Sequence, residues 1–230
     1  MTGGLSTERA AALRENINSI REEIAQLAPG RDVTLLGATK TVPAEIINYA
    51  ARECGLTAVG ENRVQELTEK YPLLDHENVE IHFIGRLQRN KVRHLIGKVT
   101  LIHSVDSIEL AREIDKRSRA AGLCTDILVQ INTGLEDTKG GVAPAQADEF
   151  LASLQQFENI RVRGLMAMTP ICSDPEDYRR YFELAKSLFD RNFTQPGDIL
   201  SMGMTDSYRQ ALLCGSNLIR VGSAIFGKRE

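Results

Sequence analysis

The apolar positions at the start of the chain recur at helical spacing. Leu13, Ile17, Ile20, Ile24 and Leu27 advance by alternating steps of four and three, which places them on one helix face. Ser6 is a suitable N-cap before this run, and Pro29-Gly30 ends it. From there the pattern changes to short apolar runs near Val33–Thr39, Ala58–Gly60, Ile81–Ile84, Leu101–Ser104, Ile127–Ile131, Gly164–Met168, Ile199–Met202 and Ile219–Val221. Each reads as a strand, and helical stretches lie between them. Tyr178, Tyr181, Phe182, Ala185, Leu188 and Phe189 form a clear apolar helix face; Ile108, Ala111 and Ile114 form a weaker one. Strands that alternate with helices imply a parallel sheet with right-handed crossovers. Eight such units without a low-complexity linker predict an α/β fold, a closed (β/α)8 TIM-type barrel. The expected layout is one domain over residues 1–230, with residues 1–30 supplying an extra N-terminal helix packed outside the barrel. The alternative is an open doubly wound sheet, because the second strand is short.

A length of 230 residues suits one such barrel. The formal charge of −3 gives no electrostatic footprint for nucleic acid, which needs a basic face. No apolar run is long enough to span a bilayer, and the stretch Met1–Ala12 lacks the pattern of a secretory signal. Cys54, Cys124, Cys172 and Cys214 are scattered and form no CxxC pair, which argues against a zinc site or disulfide framework and fits a reducing compartment. A cytoplasmic location is expected by default.

Function in such barrels collects where strands end at the C-terminal face. Lys40 follows the first strand, Glu61-Asn62 the second, and His82 lies within the third; Ser104, Asn132 and Thr169 end the next three. A lysine after a strand often reaches solvent, yet a desolvated lysine becomes an amine nucleophile able to condense with an aldehyde. The seventh and eighth strands are followed by Ser201-Met202-Gly203-Met204-Thr205 and Gly222-Ser223. Glycine and hydroxyl turns at these two adjacent strand ends suit a phosphate, although such glycines also serve tight turns. Arg86, Arg89, Lys91 and Arg93 form a basic cluster that reads as a solvated helix start. No cysteine or second histidine stands at ligand spacing around His82, so that residue reads more readily as a hydrogen-bonded core histidine than as a metal ligand.

Six segments in order carry a family resemblance: Thr39-Lys40-Thr41, the run from Val59 to Glu66, His82-Phe83-Ile84-Gly85 with Leu87 to Lys91, the run from Gly164 to Met168, the run from Leu200 to Thr205, and the run from Arg220 to Gly227. With these the chain resembles the pyridoxal phosphate homeostasis proteins, which are similar in fold to the N-terminal barrel of alanine racemase. The resemblance implies that pyridoxal 5′-phosphate (PLP) is held as a Schiff base on Lys40. It implies that Asn62 lies beside the ring, that His82 lines the same pocket, and that Arg220 faces the pyridine nitrogen. Ser201, Thr205, Gly222 and Ser223 fall at the phosphate-binding positions. The family usually has Ser at the position of Thr205 and often Thr at that of Ser223, and both changes keep a hydroxyl. Lys139 matches a family lysine in the loop after the fifth strand.

Alanine racemase adds a C-terminal β-domain carrying a catalytic tyrosine, whereas this chain runs only a few residues past its last strand. Racemisation needs proton delivery on both ring faces. The resemblance therefore implies a PLP carrier or regulator, not an enzyme, with PLP itself and apo-PLP enzymes as partners and a monomeric state. A one-domain amino-acid racemase and a sugar-phosphate barrel enzyme are the competing functions.

Overall fold

The computed structural model describes residues 5–136 and 140–227. The eight strands are β1 (Thr34–Ala38), β2 (Ala58–Glu61), β3 (Glu80–Phe83), β4 (Leu101–Val105), β5 (Thr125–Asn132), β6 (Ile160–Met168), β7 (Ile199–Met204) and β8 (Leu218–Val221). All pair in parallel with their sequence neighbours, and β1 also pairs with β8. That last pairing closes the barrel and excludes the open sheet. The helices are α1 (Thr7–Leu27), α2 (Ala44–Cys54), α3 (Val64–Lys70), α4 (Ile108–Ala121), α5 (Ala147–Leu154), α6 (Tyr178–Asn192), α7 (Tyr208–Leu213) and α8 (Ser223–Phe226).

The Ser6 hydroxyl accepts from the Arg9 N–H and caps α1, whose buried face is Leu13, Ile17 and Ile20. This helix packs outside the barrel against α2, α7 and α8. Two local differences from the sequence reading have simple causes. The basic segment after β3 is a 3-10 helix, Arg89–His94, in which only Val92 is buried. β6 begins at Ile160 instead of Gly164, because Arg161 and Arg163 both pair with Asp126 on β5 and hide the strand's apolar pattern. Among the described residues no helix is long and apolar enough to cross a membrane.

Side chains on a strand alternate between faces, so each strand serves two cores. The larger core lies between the barrel and its helices. Inside the barrel, Leu36, Ala58 and Leu218 form one small apolar cluster; Leu101, Leu128 and Met166 form another. Two residues further along several of these strands the interior turns polar, with His103, Gln130 and Arg220 all buried. That polar layer lies beneath the C-terminal rim.

Candidate functional site

Lys40 sits in a turn immediately after β1. The Val42 N–H donates to Thr39 O at 2.9 Å and closes the turn. Its third residue, Thr41, has φ 65°, in the left-handed region that a β-branched side chain rarely enters. Such strain persists only when the surroundings over-determine it. Here they do: the Thr41 N–H donates to Glu66 Oε1, and Lys70 Nζ donates to Glu66 Oε1 at 2.6 Å, Thr39 O at 2.8 Å and Glu61 Oε1 at 2.7 Å. The Thr39 hydroxyl, fully buried, donates to Glu61 Oε1 at 2.8 Å. Burial raises the Glu61 carboxyl above its usual range, with Lys70 and Thr39 opposing the shift. Lys40 is thus carried on a turn clamped from behind by α3. Glu66 lay within a family segment without a role, and Lys70 gave no signal in the sequence.

A cleft of about 500 Å³ opens beside that turn, and its lining includes Lys40, Gly222 and Ser223. Ala38 forms its floor on β1; a Cβ placed on Gly222 would come within 3.5 Å of it, so a side chain there would occupy the cleft. Thr205, at the end of β7, reaches across to this wall: its hydroxyl accepts from the Gly222 N–H at 3.2 Å and lies 3.5 Å from Ser223 Oγ. The structure therefore brings Lys40, Thr205, Gly222 and Ser223 together. Arg9, from the polar face of α1, also lines the cleft and adds a cation that no motif announced.

The other expected residues sit deeper. Arg220 is 5% exposed and has no ion pair among the described residues, which removes the simple explanation of an arginine bound to a rim carboxylate. Its Nη1 donates to Ser201 Oγ at 2.6 Å and its Nη2 to Ala167 O at 3.2 Å. Burial alone lowers its pKa to about 10, still far on the charged side of neutrality. Two of its five donors are engaged by neutral oxygens, which suits an acceptor or anion supplied from outside. Ser201 is fully buried and lies with Arg220, not with the hydroxyls of the cleft. His82 is buried against His103, with Nδ1 and Nε2 of the two rings 2.9 Å apart. Asn62 follows β2, and its Oδ1 is buried without a hydrogen-bond partner. The chain passes so close to Asn62 that a Cβ on Gly85 would lie 2.0 Å from Asn62 O, so this position has room for glycine alone. Lys139 lies outside the described residues.

An amide oxygen without a partner, a charged guanidinium with no counter-ion among the described residues and a lysine beside a hydroxyl cradle match the parts of a compact anionic aldehyde. The comparisons with known proteins agree with that chemistry. The alanine racemase N-terminal domain family matches residues 9–230. The pyridoxal phosphate homeostasis protein of Aquifex aeolicus is 44% identical over 85% of this chain and 87% of its own length. This chain belongs to that family. Among its solved relatives is PipY of Synechococcus elongatus, determined with PLP bound; it is 32% identical, with a TM-score of 0.81 over 94% of this chain and all of that one. Outside the pyridoxal phosphate homeostasis proteins, alanine racemase from Clostridium difficile shares the barrel alone: 17% identity and a TM-score of 0.72, over 94% of this chain and 57% of that one.

Proposed function

We propose that this protein binds PLP and serves PLP homeostasis as a carrier, the whole chain acting as one binding unit. The observation that carries the reading is the convergence of Lys40, on its clamped turn, with Gly222 and Ser223 in a single cleft, with Thr205 hydrogen-bonded to that wall. PLP supplies an aldehyde that condenses with an amine, a phosphate, and a pyridine ring. Lys40 would hold the first as a Schiff base, the cradle the second, and Arg220 and Asn62 would meet the ring. Ser201 supports Arg220 from below, and His82 contributes through the same interior layer. Relatives named for PLP homeostasis and one solved with PLP bound support this assignment.

Arg220 also favours holding over turnover. Arginine stays charged and only donates, so at the ring nitrogen it would favour the unprotonated form, which accepts carbanion charge poorly. The carrier reading therefore expects PLP transfer to apo-PLP enzymes without racemisation of amino acids. The test is borohydride reduction of the protein loaded with PLP, followed by peptide mass analysis. A pyridoxyl mass should appear on the peptide carrying Lys40 and vanish in Lys40→Ala; its appearance on another lysine defeats the assignment. Exchange of the α-hydrogen of added L- and D-alanine in deuterated water should stay near background, and rapid exchange with inversion would make the protein a racemase.

A further inference from the structure

A line of polar side chains runs through the barrel interior from one mouth to the other. Arg220 Nη1 is 2.6 Å from Ser201 Oγ, and Ser201 Oγ is 3.1 Å from His103 Nδ1. His103 Nε2 is 2.9 Å from His82 Nδ1, and His82 Nε2 is 3.3 Å from Glu80 Oε2. Ser201 and His103 have no exposure and His82 has 3%, whereas the Glu80 side chain, at the N-terminal end of β3, is 67% exposed. The line therefore begins beneath the cofactor site and ends in solvent at the opposite mouth.

The chemistry of the first member orders all the others. A guanidinium has no lone pair to offer, so Ser201 Oγ must accept from Arg220. The Ser201 hydrogen then needs an acceptor, and His103 Nδ1 is the nearest one. That nitrogen must be bare, so the His103 proton resides on Nε2 and is donated to His82 Nδ1. His82 in turn carries its proton on Nε2 and donates it to the Glu80 carboxylate. This last contact holds the Glu80 carboxyl below its usual range.

We infer that His103 is a positioning residue of the site, kept neutral with its proton on Nε2, which anchors Ser201 and through it the Arg220 guanidinium. The competing arrangement has an imidazolium at His82 and the His103 proton on Nδ1. It strands the Ser201 hydrogen without an acceptor in a dry interior and adds a second cation to the layer that already holds Arg220. Burial, with the charge of Arg220 adding to it, pushes the His103 imidazole well below its ordinary range, which agrees with a neutral ring. The consequence for the cofactor rests on the reading of Arg220 given above; the order of the hydrogen bonds does not.

The deciding measurement is long-range ¹H–¹⁵N correlation on the cofactor-free, full-length protein labelled at histidine, at neutral pH. Both His82 and His103 should show the neutral Nε2–H pattern, and Ser201→Ala should move the His103 Nδ1 resonance. An Nδ1–H tautomer or an imidazolium at either ring overturns the inference. A second measurement follows PLP affinity. Ser201→Ala should weaken it about tenfold, the size expected for loss of one buried hydrogen bond that holds a charged group, and Ser201→Thr should restore it. Unchanged affinity in Ser201→Ala would show that the line positions nothing used by the cofactor. The expected tautomers without a pyridoxyl adduct on Lys40 would instead leave the line standing and remove the proposed cofactor reading.

Discussion

The rim hydroxyls and the polar layer of the barrel interior are both assigned to the proposed site, and they are built on opposite terms. At the rim, Thr205 is half-buried and Ser223 exposed, so water can replace any bond they lose. In the interior, Ser201 and His103 have no exposure, and each hydrogen bond there is made or else left unsatisfied. The rim is therefore free to change partners when a ligand arrives, while the interior must be complete before one does. In the proposed binding mode a site that binds and releases a cofactor profits from this division: the layer assigned to the phosphate is adaptable, and the layer assigned to the ring is preorganised.

The contrast is most exposed to Ser201→Ala. Removing that hydroxyl leaves His103 Nδ1 and Arg220 facing an apolar methyl group, and the cofactor-free protein should lose about 2 kcal/mol of stability by urea denaturation. A stability equal to the parent would mean that the interior tolerates loss as the rim does.

Next in size is an acid effect confined to the interior. His103 is held well below the ordinary value of 6.5 that it regains on unfolding. The unfolded chain therefore binds a proton that the folded one refuses. Stability from this residue is complete above about pH 6.5 and falls as pH drops below it, with a slope approaching about 1.4 kcal/mol per pH unit. Denaturation midpoints compared between the parent and His103→Gln from pH 7.5 to 5.5 should show the parent losing more. Parallel curves would mean that His103 titrates normally.

At the rim, Gly222→Val should fill the cleft beside Ala38 and weaken PLP binding at least about tenfold, on the order of 1.4 kcal/mol, while pyridoxal, which has no phosphate, is affected much less. If both vitamers weaken alike, the cradle does not hold the phosphate. The smallest effect is expected for Thr205→Val, which should change the stability of the cofactor-free protein by less than about 0.5 kcal/mol, because the Gly222 N–H that loses its acceptor is close to solvent. A loss as large as that of Ser201→Ala would erase the distinction between the two regions.

The sequence by itself determined the alternation of eight strands with helices, because hydrophobic periodicity is a local signal and such alternation leaves few parallel-sheet topologies. It also marked Lys40 and the glycine–hydroxyl segments around Thr205, Gly222 and Ser223 as candidates, since each such segment is written in adjacent residues at one strand end. Closure was different. The pairing of β1 with β8 joins residues from the two ends of the chain, and nothing local distinguishes a closing strand from an open edge. The interior line was equally hidden. His82, His103, Ser201 and Arg220 come from four strands and are separated by as many as 98 residues between bonded partners. Ser201 and Thr205 stand in one segment of the sequence, and only the fold directs the Ser201 hydroxyl inward to Arg220. The clamp behind Lys40 shows the same division: Thr41 announces no left-handed turn, and only the packing of α3 against β2 delivers Glu66 and Lys70 to hold it there. Spacing along the chain is read by local physics, whereas a hydrogen bond between strands exists only once the barrel has set their register.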